Sequence, residues 1–331
     1  MLKTLLIGFG YWGPNIAKNL KASSNFELTA ICDISETNLA RARGIYGDEV
    51  NYFTDWRKAL ETDRLEVCAV ALRNKPQQEV STAVLKHGLH LFIEKPMATN
   101  MEDALNLKEL AANHKRLIHV DHLLIYNPFI RRIKHLIDCG ELGDLIYFES
   151  NRANLGPHIK KDMNAMWDLA VHDIAVLDYF SGGKKPLTVN CVGQSKFGNE
   201  EVITYLTLKF DTFAAMIKSN WFSPVKERTM IVSGDKKMVI FDEAKESEKL
   251  AIYDKGIDLT DTSYQTYGHL EAKMRMGDVL LPNISPEDAL LNGLNHFSEC
   301  IKTNRHSDSD EEAAIRILDI LLKANEGLSI K

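Results

Sequence analysis

The sequence predicts a two-domain protein, with an α/β domain built on a doubly wound parallel sheet followed by an α+β domain built on an open, mostly antiparallel sheet. Strand-like apolar runs alternate with helical patterns over residues 1–121, which is typical of a parallel sheet covered by helices. Residues 122–331 instead bring strand after strand with few helices between them. A length of 331 residues also suits two domains better than one core.

The first domain is expected to hold six strands, each followed along the chain by a helix or a short connection. Buried or half-buried runs predict strands over 4–7, 28–32, 52–53, 65–72, 91–93 and 117–120. Helical spacing predicts helices from 15 to 20 and onward, and over 35–46, 55–60, 80–86 and 100–114. The strand at 91–93 is therefore about the fifth of the sheet.

The second domain is expected to hold six or seven strands, one inserted helix and two closing helices. Strands are predicted over 145–152, 187–192, 202–210, 213–221, 230–232 and 238–241, with a further one at 250–253 left open. Helices are predicted over 129–137, 167–179 and 310–325, and after Ser285 and Pro286, which suit a cap and a first turn. The last helices could pack back on the first domain. The polar segment 254–282 is either a loop or an arm across a subunit interface.

An open sheet needs a cover on its far face, and a second copy of the chain is the expected cover. We therefore expect a homodimer or homotetramer formed through the second domain.

Composition excludes several classes of partner. A net charge of −6 argues against nucleic-acid binding, which needs a basic surface. The sequence contains neither a signal peptide nor an apolar stretch long enough to cross a membrane. The five cysteines are scattered and lack any C-x-x-C pair, so we expect reduced thiols in a cytoplasmic protein and no zinc site.

A glycine-rich turn follows the first strand. Gly8-Phe9-Gly10-Tyr11-Trp12-Gly13 has the G-x-G-x-x-G spacing and lies between a strand and a helix, the context in which this motif binds a dinucleotide. The first glycine permits the tight turn, the second lets a pyrophosphate approach the backbone, and the third allows close helix–sheet packing. The fold expected here is thus of the Rossmann type.

Asp33 follows the second strand, 20 residues after Gly13. An acid at this place accepts both ribose hydroxyls of adenosine and repels the 2′-phosphate of NADP. No arginine lies in the turn formed with Ile34 and Ser35. We therefore expect NAD as the cofactor in preference to NADP, although Asp33 could instead cap the next helix.

Glu94, Lys95 and Pro96 end the strand at 91–93. Ligands of open α/β sheets bind beyond the carboxyl ends of the strands, so Lys95 is a candidate for chemistry beside the nicotinamide. The alternative is an ion pair at a strand end. With the glycine turn and Asp33 upstream, we favour the chemical role for Lys95 and a supporting role for Glu94.

Asp168 and His172 lie four residues apart in the inserted helix and are expected to share a face. An aspartate beside a histidine orients the imidazole and raises its proton affinity, which makes a general base. A helix cap and a boundary histidine are the alternative, and the presence of Lys95 favours the catalytic interpretation.

Several polar residues could shape a substrate pocket. Tyr126 and Asn127 follow the domain junction, and Arg152 and Asn154 leave the first strand of the second domain. Arg152 is the best candidate for a phosphate or carboxylate, because guanidinium binds such groups bidentately. Lys160 and Lys161 either contribute to this pocket or form a solvated basic loop. No metal site is expected, and the histidines without an obvious ligand set are expected to be structural: His122, His158 and His296.

Taken together, these residues resemble the glucose-fructose oxidoreductase/inositol dehydrogenase/MocA family across the whole chain. The glycine turn, Asp33, Glu94-Lys95-Pro96 and Asp168 to Asp173 carry the resemblance. It implies an N-terminal NAD-binding domain and a C-terminal domain for substrate binding and oligomerisation. The chain departs from the family at Leu72-Arg73, where Thr-Pro is usual, and at Gln77, where His is usual. Leu72 thus stands at a position that usually flanks the cofactor.

The resemblance implies an NAD-dependent dehydrogenase that moves hydride between a sugar ring carbon and nicotinamide. It is greatest for members acting on nucleotide-linked amino sugars, and UDP-N-acetylglucosamine oxidised at C3 is the expected substrate. A nucleotide-keto-sugar reductase, a dehydrogenase of inositol or a free sugar, and a non-catalytic NAD-binding sensor are the alternatives.

Overall fold

The computed structural model describes residues 1–156, 163–196, 198, 200–260 and 271–328. The chain forms two compact units. Unit 1 comprises Met1–Asn127 and Glu287–Asp319, and unit 2 comprises Pro128–Pro286 and Ile320–Lys331. The first unit therefore takes in a stretch near the end of the chain as well as its first part.

Unit 1 contains a six-stranded, fully parallel sheet in the order β3-β2-β1-β4-β5-β6. This is the strand order of dinucleotide-binding doubly wound sheets, and it confirms the predicted fold class. The strands are β1 Leu2–Ile7, β2 Phe26–Cys32, β3 Asn51–Phe53, β4 Val67–Val70, β5 His90–Ile93 and β6 Ile118–Val120.

Four helices of unit 1 begin where a short polar side chain accepts a backbone N–H. Ser35 caps α2, Asp55 caps α3, and Asn100 caps α5. The prediction that Ser285 and Pro286 open the next helix is wrong, because Asp288 accepts from Leu290 and Leu291 and starts α8 three residues later. The helices are α1 Gly13–Ala22, α2 Glu36–Tyr46, α3 Trp56–Leu60, α4 Asn74–Lys86, α5 Met101–His114 and α8 Ala289–Thr303.

The α8 helix completes the core of unit 1. Leu290, Leu294 and Phe297 are at most 5% exposed and pack in one cluster with Ile16 and Leu20 of α1. Burying apolar side chains of this size stabilises a fold by about 1.5–3 kcal/mol each. The stretch near the end of the chain is thus part of the same hydrophobic core as the glycine turn's helix.

Unit 2 contains an eight-stranded sheet in the order β14-β13-β12-β11-β7-β10-β9-β8. All its strand pairs are antiparallel except β10 with β7, which confirms the predicted mostly antiparallel sheet. The strands are β7 Leu145–Leu155, β8 Thr188–Ser195, β9 Glu201–Lys209, β10 Ala214–Asn220, β11 Phe222–Gly234, β12 Met238–Asp242, β13 Leu250–Thr260 and β14 Glu271–Leu280.

The described parts of the segment 254–282, for which the sequence left two interpretations open, include strand backbone on both sides of residues 261–270. The β13 strand continues to Thr260 and pairs antiparallel with β14 over Ile252–Leu280 to Thr260–Glu271. The strand at 250–253 is therefore real and longer than expected. Three further helices are α6 Pro128–Asp138, α7 Val171–Ser181 and α9 Glu311–Leu328, the last of which runs past the expected end at 325. Among the described helices, none is long and apolar enough to cross a membrane.

Candidate active site

The strand register brings three predicted residues, and Asp121, which the sequence did not single out, to one edge of the parallel sheet. Ile7 is in register with Cys32 and Val70, and Ile93 is in register with Val70 and Val120. The residues that follow these strands therefore leave the sheet side by side. They include Gly8, Asp33, Glu94 and Asp121. Ligands of open α/β sheets bind beyond this edge.

The glycine turn has the steric properties that the motif requires. Gly8 has φ +98°, and a Cβ there would lie 2.5 Å from the carbonyl oxygen of Ala71. A Cβ on Gly13 would lie 2.0 Å from the carbonyl oxygen of Gly8, so any other residue would force α1 away from β1. A Cβ on Gly10 would meet no atom of the described residues within 4 Å. The backbone at Gly10 is thus open to a ligand.

The other residues of the turn divide between core and surface. Phe9 is fully buried, whereas Tyr11 is 86% exposed. Leu72 places its Cδ2 3.1 Å from the Cβ position of Gly8, so it lies directly beside the turn. Trp12 precedes α1, whose first turn carries Pro14 and, within the described residues, no side-chain cap. Backbone N–H groups at such a helix start favour an anion.

The Asp33 carboxylate anchors the turn. Its Oδ2 accepts from the Phe9 N–H at 2.6 Å, and its Oδ1 accepts from the Ser35 N–H at 2.8 Å. Asn38 Nδ2 also donates to Oδ1 at 3.2 Å. A carboxylate has about four lone-pair sites, so these three bonds leave room for a ribose hydroxyl. The predicted ribose role of Asp33 is compatible with this second role, which spacing alone did not indicate.

Arg41 is a residue of this site that the sequence did not single out. Its Nη2 donates to the carbonyl oxygens of Phe9 at 2.6 Å and Gly10 at 2.9 Å, and its guanidinium lies 5.2 Å from the centre of the Phe9 ring. Arg41 belongs to α2, and no motif links that helix position to the turn. Only the fold brings it there.

The loop Glu94-Lys95-Pro96 is held by Gln77. The Gln77 side-chain amide donates to the carbonyl oxygen of Glu94 at 3.1 Å and to that of Pro96 at 2.8 Å. Gln77 is only 4% exposed, so these bonds are shielded from water. The departure from the family's usual His therefore keeps a hydrogen-bond donor on the loop that carries Lys95.

Glu94 and Asp121 form a buried pair of carboxyl groups. Their side chains are hydrogen-bonded to each other, which requires a proton on one of them. Burial, followed by the Asp121 charge, raises the pKa of Glu94 to about 8. Burial also raises the pKa of Asp121 to about 6, while the Trp12 indole N–H, which donates to Asp121 Oδ2 at 2.9 Å, opposes the rise.

Lys95 and His122 lie beside this pair. The Lys95 charge lowers the pKa of both carboxyls. Burial and the same charge lower the pKa of His122 to about 3, so this imidazole is neutral at physiological pH. The cluster therefore combines one cation, one shared proton and one neutral imidazole.

In unit 2, Asp168 lies in a π-helical turn, Met166–Ala170, that precedes α7. The prediction of a regular α-helix from 167 is thus wrong in its first turn, where Asn164 Oδ1 accepts from the Trp167 N–H at 3.2 Å. Asp168 Oδ2 accepts from the indole N–H of Trp221 at 3.2 Å. Such π-turns occur frequently at functional sites.

His172 lies in the first turn of α7 and is half-buried. The indole of Trp221 holds the carboxylate of Asp168, which lies four residues before His172. Trp221 itself is 3% exposed. A buried, hydrogen-bonded tryptophan is a rigid support for Asp168. The sequence placed Trp221 at the end of a predicted strand and did not predict this contact.

The structure does not favour the expected role of Arg152 as an anion ligand. Its guanidinium binds Asp173 bidentately, with Nε at 3.0 Å and Nη2 at 3.1 Å, and Nη1 reaches Glu243 at 3.3 Å. Asp173 is 2% exposed, so the arginine neutralises a buried carboxylate of α7. The sequence could not distinguish an internal acid from a substrate as its partner.

Tyr126 is placed in the core of unit 1 and not on its surface. The ring is 2% exposed and stacks on His119 at 5.3 Å, and its hydroxyl lies 3.1 Å from Ser307 Oγ. Asn127 is half-buried and is the last residue of Met1–Asn127, the first segment of unit 1. The contacts of Tyr126 are those of a structural residue and not of a substrate ligand.

Asn154 lies in β7, where its Oδ1 accepts from Arg228 Nη2 at 2.9 Å. Burial lowers the pKa of Arg228, and neighbouring Arg152 lowers it further. Asn154 therefore sits beside two arginines, only one of which the sequence indicated. His158, Lys160 and Lys161 lie outside the described residues, as do Tyr264, Tyr267 and His269.

Within the described residues, the geometry offers one three-residue group with metal-ligand atoms, His306, Asp310 and Glu311. Asp310 Oδ1 accepts from the Ala313 N–H, which makes it a cap of α9. His296 is bonded to Cys300 Sγ at 3.4 Å and to the Asp308 N–H at 3.2 Å, a structural arrangement.

The fold and the glycine turn define a dinucleotide-binding protein, and family models agree. The model described as "Oxidoreductase family, NAD-binding Rossmann fold" matches residues 2–122. The model of the GFO/IDH/MocA C-terminal domain matches residues 130–240. The chain belongs to the glucose-fructose oxidoreductase/inositol dehydrogenase/MocA family, and its first unit is an NAD-binding domain.

Known proteins of this family resemble different parts of the chain. Inositol 2-dehydrogenase of Salmonella typhimurium is 25% identical over 182 residues, 54% of each chain. The chain thus matches about half the length of this curated relative. A solved structure of UDP-N-acetylglucosamine 3-dehydrogenase from Acidithiobacillus ferrooxidans superposes with TM-score 0.84 at 18% identity, over 99% of this chain and 97% of that one.

A third relative contains the cofactor. An oxidoreductase from Agrobacterium radiobacter, solved with NAD+, L-tartaric acid and magnesium, has TM-score 0.83 at 13% identity, with coverage of 99% and 96%. At such identities the likeness shows the fold alone.

Proposed function

We propose that the protein is an NAD-dependent dehydrogenase that transfers hydride between a ring carbon of a sugar and the cofactor. The observation that carries this proposal is the position of Lys95. It follows β5 at the carboxyl edge of the parallel sheet, in a loop braced by Gln77 and joined to the glycine turn through Asp121 and Trp12. A cation placed at this edge can act on a bound substrate.

The residues of unit 1 fit NAD. Gly10 presents open backbone, the start of α1 favours the pyrophosphate, and Asp33 retains acceptor capacity for a ribose hydroxyl. Leu72 and Trp12 flank the turn, and Lys95 would also bond the nicotinamide ribose. When bound, NAD supplies the hydride acceptor at its nicotinamide ring.

Lys95 would hydrogen-bond the reacting hydroxyl through Nζ. As the hydroxyl loses its proton, negative charge grows on the oxygen, and a nearby ammonium stabilises that charge most in a site shielded from water. While the buried Glu94–Asp121 pair beside Lys95 holds its proton, it carries a single negative charge. The positive charge of Lys95 then faces one negative charge and not two.

His172 would take the proton from the hydroxyl as general base. Asp168, fixed by the indole of Trp221, would orient the imidazole. The π-turn that carries Asp168 is the structural feature that supports this assignment, because such turns present side chains that a regular helix would not.

UDP-N-acetylglucosamine, oxidised at C3, is the substrate we propose. Three stretches resemble those of enzymes that act on nucleotide-linked amino sugars: Asn154-Leu155-Gly156, Trp167 to Asp173 and Trp221 to Lys226. UDP-N-acetylglucosamine 3-dehydrogenase shares the fold of this chain, which is compatible with the same choice. Oxidation of inositol or a free sugar is the alternative, which the similarity to inositol 2-dehydrogenase favours. Reduction of a nucleotide-linked keto sugar is the reverse direction of the first reaction.

Steady-state assays separate these substrates. The purified protein is mixed with NAD and either UDP-N-acetylglucosamine or myo-inositol, and NADH is followed by absorbance. Turnover on the nucleotide sugar at a rate well above that on myo-inositol supports the proposal. Turnover on myo-inositol alone, or on no nucleotide sugar, contradicts the proposed substrate. NAD binding without any turnover would favour a non-catalytic sensor.

The subunit partner we propose is a second copy of the chain on the open face of the unit 2 sheet. On neighbouring strands, Val192, Tyr205 and Met216 are 66%, 43% and 41% exposed. Met216, together with Tyr147, also lines a groove in this sheet. Sedimentation of the wild type and of Met216→Glu tests this, since a charge in a self-contact should lower the assembled mass, and a monomeric wild type would contradict it.

A further inference from the structure

Trp12, Asp121 and Glu94 form a chain of side chains that runs from the glycine turn to Lys95. Trp12 Nε1 donates to Asp121 Oδ2 at 2.9 Å. The Asp121 side chain is hydrogen-bonded to that of Glu94, and Glu94 immediately precedes Lys95. The strand register explains how residues so distant in sequence meet, because Glu94 and Asp121 follow the paired residues Ile93 and Val120.

We propose that Asp121 is a positioning residue that links the cofactor turn to Lys95 through Trp12 on one side and Glu94 on the other. This inference rests on the proposed function only in giving Lys95 a catalytic role. Asp121 itself touches neither substrate nor cofactor in this account. Its task is to hold Glu94 in its protonated form and so keep Lys95 available to the substrate oxygen.

Backbone contacts make the chain of side chains rigid. The Asp121 N–H donates to the Ile93 carbonyl oxygen at 2.8 Å, and the Glu94 N–H donates to that of Val70 at 3.0 Å. Gln77 holds the other side of the Glu94 loop. These bonds fix the backbone on which both carboxyls stand, so the two groups are held close together, and sharing a proton reduces their repulsion.

The charged and titratable groups around the pair set its behaviour. Lys95 faces both carboxyls and favours their ionised forms, whereas Asp288, the cap of α8, disfavours ionisation of Asp121. His122 follows Asp121 and is neutral. When the pH rises through the pKa of Glu94, the pair gains a second negative charge, which would draw the Lys95 ammonium away from the substrate. The expected consequence is a loss of turnover at alkaline pH that depends on Glu94.

The indole of Trp12 provides a test that needs no substrate. The protein has four tryptophans. In protein labelled with ¹⁵N-tryptophan, the Nε1–H resonance of Trp12 can be assigned because it disappears in Trp12→Phe. We expect this resonance to move in two steps between about pH 5 and 9, as coupled carboxyls titrate. Glu94→Gln should remove the upper step, and Asp63→Asn, a change at a surface acid, should leave both steps unaltered.

Activity gives a second test. Asp121→Asn should lower kcat about tenfold or more with a smaller change in KM for NAD, and it should shift the alkaline limb of the pH profile. Glu94→Gln should abolish that limb. An indole resonance that does not titrate, or titrates identically in Glu94→Gln, would overturn the inference. Absence of turnover in the wild type with a titrating indole would instead overturn the proposed function alone.

Discussion

The side-chain amide of Gln77 donates a hydrogen bond to the carbonyl oxygen of Pro96 at 2.8 Å, in a setting where Gln77 is 4% exposed. A second bond from the same amide reaches Glu94. One residue of α4 thus holds both sides of Lys95 in place. This contact explains how the chain keeps its loop without the histidine that the family usually has there.

Gln77→Ala should loosen this loop. We expect a loss of unfolding free energy of about 1–3 kcal/mol, because two buried carbonyl groups lose their partner, together with a lower kcat. Denaturant unfolding and NADH formation measure the two effects. Gln77→His should restore much of the activity, and Gln78→Ala, which removes a neighbouring amide bonded to Asp103, should leave kcat unchanged. Unaltered activity in Gln77→Ala would contradict the bracing role.

Asp33 is expected to determine the choice of cofactor. Asp33→Ser removes the negative charge that repels a 2′-phosphate and also the acceptor for the Phe9 N–H. We predict that kcat/KM for NAD falls about tenfold or more while kcat/KM for NADP rises, for a combined change of roughly 2 kcal/mol. The two constants are compared with those of Asp48→Asn, an exposed control. A variant that still prefers NAD by the original ratio would argue against this role.

Arg152 should matter for stability more than for substrate affinity. Arg152→Ala leaves the buried Asp173 carboxylate without its bidentate partner, and breaking such a pair costs about 3–5 kcal/mol. Arg57→Ala breaks an exposed pair with Glu79 and should cost at most about 1 kcal/mol. Urea unfolding compares them. If Arg152→Ala raised KM without loss of stability, the original substrate-binding prediction would be the better one.

Glu94 should make stability fall with rising pH. Its pKa rises from 4.5 to about 8 on folding, so between these values the folded protein holds a proton that the unfolded chain has released, and stability decreases as pH increases. Glu94→Gln lacks this loss. Its unfolding free energy relative to wild type should therefore grow with pH over this window, by up to a few kcal/mol. The surface change Glu61→Gln should show no such trend, and a pH-independent difference for Glu94→Gln would contradict the assignment.

The sequence predicted the parallel sheet and its glycine turn well, because their signals are local. Each of the six strands is an apolar run, and Gly8, Gly10 and Gly13 stand at fixed spacing. The strand at 91–93 is indeed the fifth of the sheet. The NAD-binding fold follows from these local patterns with little information from distant residues.

Contacts between distant residues could not be predicted in the same way. The Arg152–Asp173 pair, the Trp12–Asp121 bond and the Arg41 contacts join side chains that only strand register and helix packing bring together. The type of a polar or charged side chain indicates which chemical groups it can bind, but the sequence does not show which residue or ligand is its partner. The π-turn at Asp168 was missed because its residues have ordinary helical spacing.

We propose that Lys95 and His172 serve hydride transfer from a sugar ring carbon to NAD. The most direct measurement is NADH formation from NAD and UDP-N-acetylglucosamine by the wild type, Lys95→Ala and His172→Gln, with Lys86→Ala and His135→Gln as surface controls. We predict turnover by the wild type and both controls, and a fall in kcat of about 10²-fold or more in each of the other two. Full activity in Lys95→Ala or His172→Gln, or no NADH from any sugar or nucleotide sugar with the wild type, would contradict the account.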